Sequence, residues 1–167
     1  MALKEQLLSS LKKAMQGEMD SVTLYGNAAN HAQDIEVKEF FSSRKEEERL
    51  HYNYLLQYYQ EISNDLQPSD LTKIINESIS KHPMISASFM QRIGEDQVLF
   101  SAISTALLLE KDAIEHYRTS MEQAENLTLK SFYELMIRWE GKHYDDLLVV
   151  QKEAEERYWQ INQFEPF

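Results

Sequence analysis

Cysteine is absent from the 167 residues of the chain, which removes disulfides, thiolate zinc sites, iron–sulfur clusters and thiol catalysis together. Any metal it holds must bind through oxygen and nitrogen. Glycine and proline are scarce, four and three residues, and in their place stand Leu, Glu, Lys, Gln and Ala, so the reading is all-α. A basic face is missing too. With 17 Lys and Arg against 28 Asp and Glu the formal charge is -11, and a surface of that sign does not bind phosphate backbones, so nucleic acid is not expected as a partner. No apolar run is long enough to span a bilayer, and Met1-Ala2-Leu3-Lys4-Glu5 breaks up any signal-peptide core. A cytoplasmic protein without membrane contact is expected.

What is present is one chain's worth of core: 43% hydrophobic residues, enough for a single domain over 1–167. Apolar positions Leu11, Met15, Val22, Tyr25 and Ala29 recur at helical spacing, and Val37, Phe41, Leu55 and Ile62 do so after a break at His31 to Asp34, where Asp34 suits a helix N-cap. A third stripe holds Leu99, Ile103, Ala106, Ile114, Tyr117 and Met121. A fourth holds Leu129, Phe132, Met136, Leu147 and Val150, with Asn126 as the cap between them. The segment from about Ser63 to Gly94 reads as a connection, with Pro68-Ser69-Asp70 opening a short helix, Lys81-His82-Pro83 closing it, and Gly94 preceding an acidic first turn at Glu95-Asp96.

Sliding the sequence against itself by 92 residues lays Glu18 on Glu110, Tyr25 on Tyr117, Asp34 on Asn126, Phe40 on Phe132, Glu48 on Glu140, His51 on His143, Tyr52 on Tyr144 and Leu55 on Leu147. The pattern predicts a duplicated helical hairpin, and thus a four-helix bundle. Helices two and three are then parallel neighbours, and the long connection containing a short helix supplies the reach along a helix of ~40 Å.

Each half carries Glu-x-x-His on its second helix, Glu48 to His51 and Glu140 to His143. Residues three apart share a helix face. One such match is a weak signal, but both are in register with the apolar stripes, and Glu18 and Glu110 lie within the stripes of the first helix of each half. Counted from the cap at Asp34, Glu18 and Glu48 stand ~24 Å and ~21 Å from the hairpin turn, and the second half repeats the counts. All six groups are therefore expected in one slab across the bundle. Four carboxylates in an apolar interior cannot all stay ionised unaided. Two divalent cations would balance them, with two neutral imidazoles completing the set; the other reading is a metal-free core of protonated or hydrogen-bonded carboxyls.

Those residues carry a resemblance. Glu18, Glu48-Arg49-Leu50-His51, Glu110 and Glu140-Gly141-Lys142-His143 resemble the rubrerythrin-like branch of the ferritin-like superfamily, over nearly the whole chain, and the six-residue set is also similar to the dinuclear centre of bacterioferritin. The resemblance implies two metal ions, iron as the usual metal and manganese as the other candidate. Glu48 and Glu140 are then bridges, Glu18 and Glu110 terminal ligands, and His51 and His143 one ligand to each ion, with the four glutamates at the reacting centre. It implies an oxidoreductase that meets peroxide or dioxygen in oxidative-stress defence; a ferritin-type ferroxidase for iron handling is the alternative, and an interaction module with a vestigial site is a third reading. Two departures stand out. Ala113 occupies the position, one turn after Glu110, where many rubrerythrins carry an additional glutamate linked to a ligand switch. A rubredoxin-like domain is excluded by the lack of cysteine, so electrons would come from another protein.

Other residues read more plainly. Tyr25 and Tyr117 lie two turns along from the terminal glutamates and read as packed rings with satisfied hydroxyls, the other readings being hydrogen bonds to carboxylates behind the ligand set or a supply of electrons. Arg44 lies inward one turn before Glu48, either neutralising a ligand carboxylate or reaching the bundle end. Glu46-Glu47 and Glu155-Glu156 read as solvated faces, and His31, His82 and His116 as residues outside the ligand set. The aromatic tail, Tyr158, Trp159, Phe164 and Phe167, is expected to pack on the bundle or on a second subunit of a homodimer.

Overall fold

The computed structural model describes residues 2–78 and 85–162; Lys81, His82, Pro83, Phe164 and Phe167 lie outside them. Four long helices dominate: α1 (Ala2–His31), α2 (Ile35–Ser63), α5 (Gln97–Gln123) and α6 (Leu127–Asn162), with the short α3 (Thr72–Ser78) and α4 (Ala87–Glu95) between α2 and α5. No strand occurs among the described residues. The turns sit where the caps were expected. Asp34 accepts from the Val37 amide at 3.1 Å to open α2, and Asn126 accepts from the Leu129 amide at 3.1 Å to open α6.

Contacts fix the directions. Between α1 and α5, Ser10 meets Ser120, Tyr25 meets Glu110 and His31 meets Asp96, so early residues of one face late residues of the other. Lys12 lies over Tyr59 and Tyr25 against Phe41, making α1 and α2 antiparallel, and Arg44 to Asp146 and Tyr58 to Phe132 make α2 and α6 antiparallel. It follows that α2 and α5 are parallel, as the duplicated hairpin requires. They are not neighbours, however. α1 packs against both, and α5 against α6, so α2 and α5 lie across the diagonal of the bundle and the connection crosses that diagonal.

The connection holds two short helices instead of one. Gly94 is not its end but a residue of α4, and a Cβ there would come within 2.7 Å of the Ala154 carbonyl oxygen. Glycine is needed because α4 lies directly on the α6 backbone. The acidic turn divides accordingly: Glu95 ends α4, and Asp96 caps α5 by accepting from the Val98 and Leu99 amides.

Apolar side chains gather in two clusters along the rod. One contains Tyr25, Ala29, Phe40, Phe41, Phe89, Ile93, Ile103, Leu147 and Val150. The other contains Leu11, Leu55, Tyr58, Tyr117, Leu129, Phe132, Tyr133, Met136 and Trp139. The polar slab lies between them, closed off from solvent at both ends.

Candidate metal centre

All six predicted residues come together. Glu18 comes from α1, Glu48 and His51 from α2, Glu110 from α5, and Glu140 and His143 from α6, and none is more than 3% exposed. Their donor atoms form two overlapping groups, Glu18, Glu48, His51 and Glu140 in one and Glu48, Glu110, Glu140 and His143 in the other, each within 4.8 Å. Glu48 and Glu140 belong to both. His51 Nδ1 stands 2.8 Å from Glu140 and 3.4 Å from each of Glu18 and Glu48, while His143 Nδ1 stands 3.1 Å from Glu48 and 3.3 Å from Glu140. The Nδ1 edge of each imidazole is turned toward Glu48 and Glu140.

Those atoms are not matched by hydrogen bonds. Glu48 Oε1, both Glu140 carboxylate oxygens and the ring nitrogens of His51 and His143 have no aligned partner although buried. Leaving buried donors and acceptors unmade costs about 1–3 kcal/mol each, and such a concentration of them fits a group that binds through oxygen and imidazole nitrogen. The donor set therefore fits two cations.

The protonation pattern shows the same demand. Burial, and next the charge on Glu140, hold the Glu18 carboxyl well above its usual range; burial and the charges on Glu48 and Glu140 do so for Glu110. Burial also presses on Glu48 and Glu140. There the charge of the nearby imidazoles wins, and lowers Glu48 to about 2 and Glu140 further still. Burial works to discharge both imidazoles, but the surrounding carboxylates outweigh it and raise them well above the ordinary histidine value.

The tyrosines cross over. Tyr25 donates to Glu110 at 2.6 Å and Tyr117 donates to Glu18, each reaching the first-helix glutamate of the other hairpin. Both rings are packed and both hydroxyls satisfied, and it is the site carboxylates that satisfy them.

Glu47 corrects the sequence reading. It is no solvated residue: it is 9% exposed, with Oε2 standing 2.8 Å from His143 Nε2 and 3.1 Å from an Arg44 guanidinium nitrogen. Arg44 is buried as well, and pairs at 2.9 Å with Asp146. It is held between Glu47 and Asp146, and the charge of Glu110 acts on it as well. The available signal was the i, i+3 spacing from Arg44, already read as inward, to Glu47; Asp146 gave none.

The remaining histidines stay apart from the cavity. His31 is exposed and meets Asp96 at 2.8 Å; His116 is half-buried, with Nε2 2.9 Å from the Ser10 carbonyl oxygen, and burial lowers its pKa. Ala113 is half-buried at the edge of the second apolar cluster, so that turn of α5 offers no seventh ligand. Tyr158 and Trp159 continue α6, ring against ring at 5.1 Å.

Among the described residues no helix is long and apolar enough to cross a membrane. The family model described as Rubrerythrin matches residues 9–151. No curated protein and no solved structure matches the chain at a significant level.

Proposed function

The chain belongs to the rubrerythrin family, and from that premise we propose that it is a di-iron or dimanganese carboxylate oxidoreductase that reacts with peroxide or dioxygen. Glu48 and Glu140 would be shared by the two ions; Glu18 and His51 would complete one position, Glu110 and His143 the other. The observation that carries it is the pair of overlapping donor groups sharing two glutamates, since a bridged pair of cations is the arrangement that needs two shared carboxylates. When bound, the ions supply Lewis acidity and a change of valence.

The chain's own part is positioning and exclusion. The Tyr117 and Tyr25 hydroxyls orient the terminal carboxylates Glu18 and Glu110, and the two apolar clusters keep bulk water away from the cavity. With no cysteine in the sequence, these residues offer no thiolate-bound iron to deliver electrons, and a donor of that kind lies outside them.

Purified protein is expected to contain about two metal ions per chain, and the reduced iron form to be oxidised on mixing with peroxide. A chain that takes up no metal during anaerobic iron loading would end the proposal. One observation favours a second reading, in which iron is itself the substrate of a ferroxidase: Ala113 leaves the centre with six protein ligands. Size-exclusion chromatography separates the two, because storage requires a hollow cage of many subunits and the oxidoreductase reading goes with a homodimer.

A further inference from the structure

The duplication makes the six donors nearly symmetric, but what stands behind the two imidazoles is not. Under the 92-residue repeat, Glu47 corresponds to Trp139, Arg44 to Met136 and Asp146 to Tyr54. Behind His143, Nε2 faces the Glu47 carboxylate at 2.8 Å, and Arg44 joins that carboxylate to Asp146. Behind His51 lies the indole of Trp139, its ring centroid 4.3 Å from that of the imidazole and nearly perpendicular to it. An indole N–H is a donor only. It gives His51 Nε2 no acceptor; neither His51 Nε2 nor His143 Nε2 makes an aligned hydrogen bond, and what differs is the carboxylate standing 2.8 Å from the second. The Tyr54 hydroxyl does not help either, being paired with Ser78 at 3.0 Å.

A carboxylate behind a ligating imidazole fixes its tautomer and orientation and raises its basicity, and losing it typically costs about 10–100-fold in metal affinity. Glu47 also brings a carboxylate to the His143 side, where its repeat counterpart Trp139 brings none. We propose that the two ion positions are unequal, that the Glu110–His143 position fills first, and that Glu47 is the positioning residue responsible. The inference rests on the dimetal reading above.

Zn(II) tests it without redox chemistry, because it accepts the same oxygen and imidazole ligands. In calorimetric titration of the metal-free full chain with Zn(II) alone, two steps are expected, the first at least about tenfold tighter. E47Q should weaken the first step by about 10–100-fold and leave the second step unchanged; E46Q, one residue away, should change neither step. The wild-type protein gives an independent readout should E47Q fail to fold. With histidine labelled by nitrogen-15 and one equivalent of Zn(II), the His143 Nδ1 resonance should move to its bound position while that of His51 stays put, the two being assigned with H51Q. Equal partial shifts of both, or two indistinguishable calorimetric steps, would overturn the inequality and leave the dimetal reading standing. No Zn(II) uptake at all would overturn both.

Discussion

The Tyr117 hydroxyl donates to Glu18, on the opposite hairpin, although Glu110 lies two turns back along its own helix. Tyr25 returns the arrangement by donating to Glu110. Because α1 and α5 are antiparallel, the residue level with each terminal glutamate is a tyrosine of the other hairpin. Tyr117→Phe and Tyr25→Phe should each destabilise the metal-free protein by about 1–3 kcal/mol, the cost of leaving a buried oxygen without its donor. Urea unfolding measures this. A loss within error for both variants would mean that the hydroxyls contribute nothing to holding the carboxylates.

The shared and unshared glutamates should separate by stoichiometry. Glu48→Gln or Glu140→Gln removes a ligand common to both donor groups and is expected to abolish binding of both ions. Glu18→Gln or Glu110→Gln touches one group only and should leave about one ion per chain, given that most of a four-donor set survives. Elemental analysis after loading and desalting gives the counts. Were all four variants to keep two ions, the six-residue assignment would be wrong.

Loading should also expel protons. His51 and His143 are raised by their carboxylate neighbours and Glu18 and Glu110 by burial, yet ligation requires neutral imidazoles and ionised carboxylates. Two imidazoles and two carboxyls can thus give up as many as four protons per pair of ions, and affinity must rise with pH. For the metal-free protein the sign is opposite on the imidazole side: a raised folded pKa stabilises below the unfolded value and the benefit fades as pH rises through the folded one. Calorimetry in buffers of different ionisation enthalpy reads the proton count directly, and a count of zero at pH 7 would contradict the protonation pattern.

Two glycines should respond in opposite directions. Gly94→Ala forces a Cβ against the Ala154 carbonyl oxygen, a backbone atom that can move only with its helix, and is expected to cost about 1–3 kcal/mol. Gly17 sits in the middle of α1 with nothing near its missing Cβ. Gly17→Ala should gain about 0.5–1 kcal/mol from helix propensity. Thermal unfolding of the two variants beside wild type checks both signs.

The hairpins, their caps and the six donors could be read in the sequence because each leaves a local or repeating mark: apolar period, Asp34 and Asn126 between stripes, and a Glu-x-x-His that recurs at a fixed offset. Glu47 left no such mark. Beside Glu46 it looks like a charged helix surface, and its burial comes from Arg44 and from His143 on α6, a contact across the bundle that a one-helix reading does not contain. The repeat held a clue, since Glu47 and Arg44 align with the apolar Trp139 and Met136. The tyrosine crossover and the diagonal placement of α2 and α5 depend on how the hairpins dock, which spacing within one hairpin does not specify. Gly94 misled for a related reason, being present to admit a neighbouring backbone instead of to end a helix.

Each of the two donor groups draws on both repeats: three residues of one hairpin and one of the other in the first group, and the converse in the second. Occupied as proposed, the centre is a pair of rivets driven through the seam between the two halves, with each half lacking a complete socket of its own. Neither hairpin alone brings four donors together, so a single hairpin of this kind would have to pair with its own copy to complete either group.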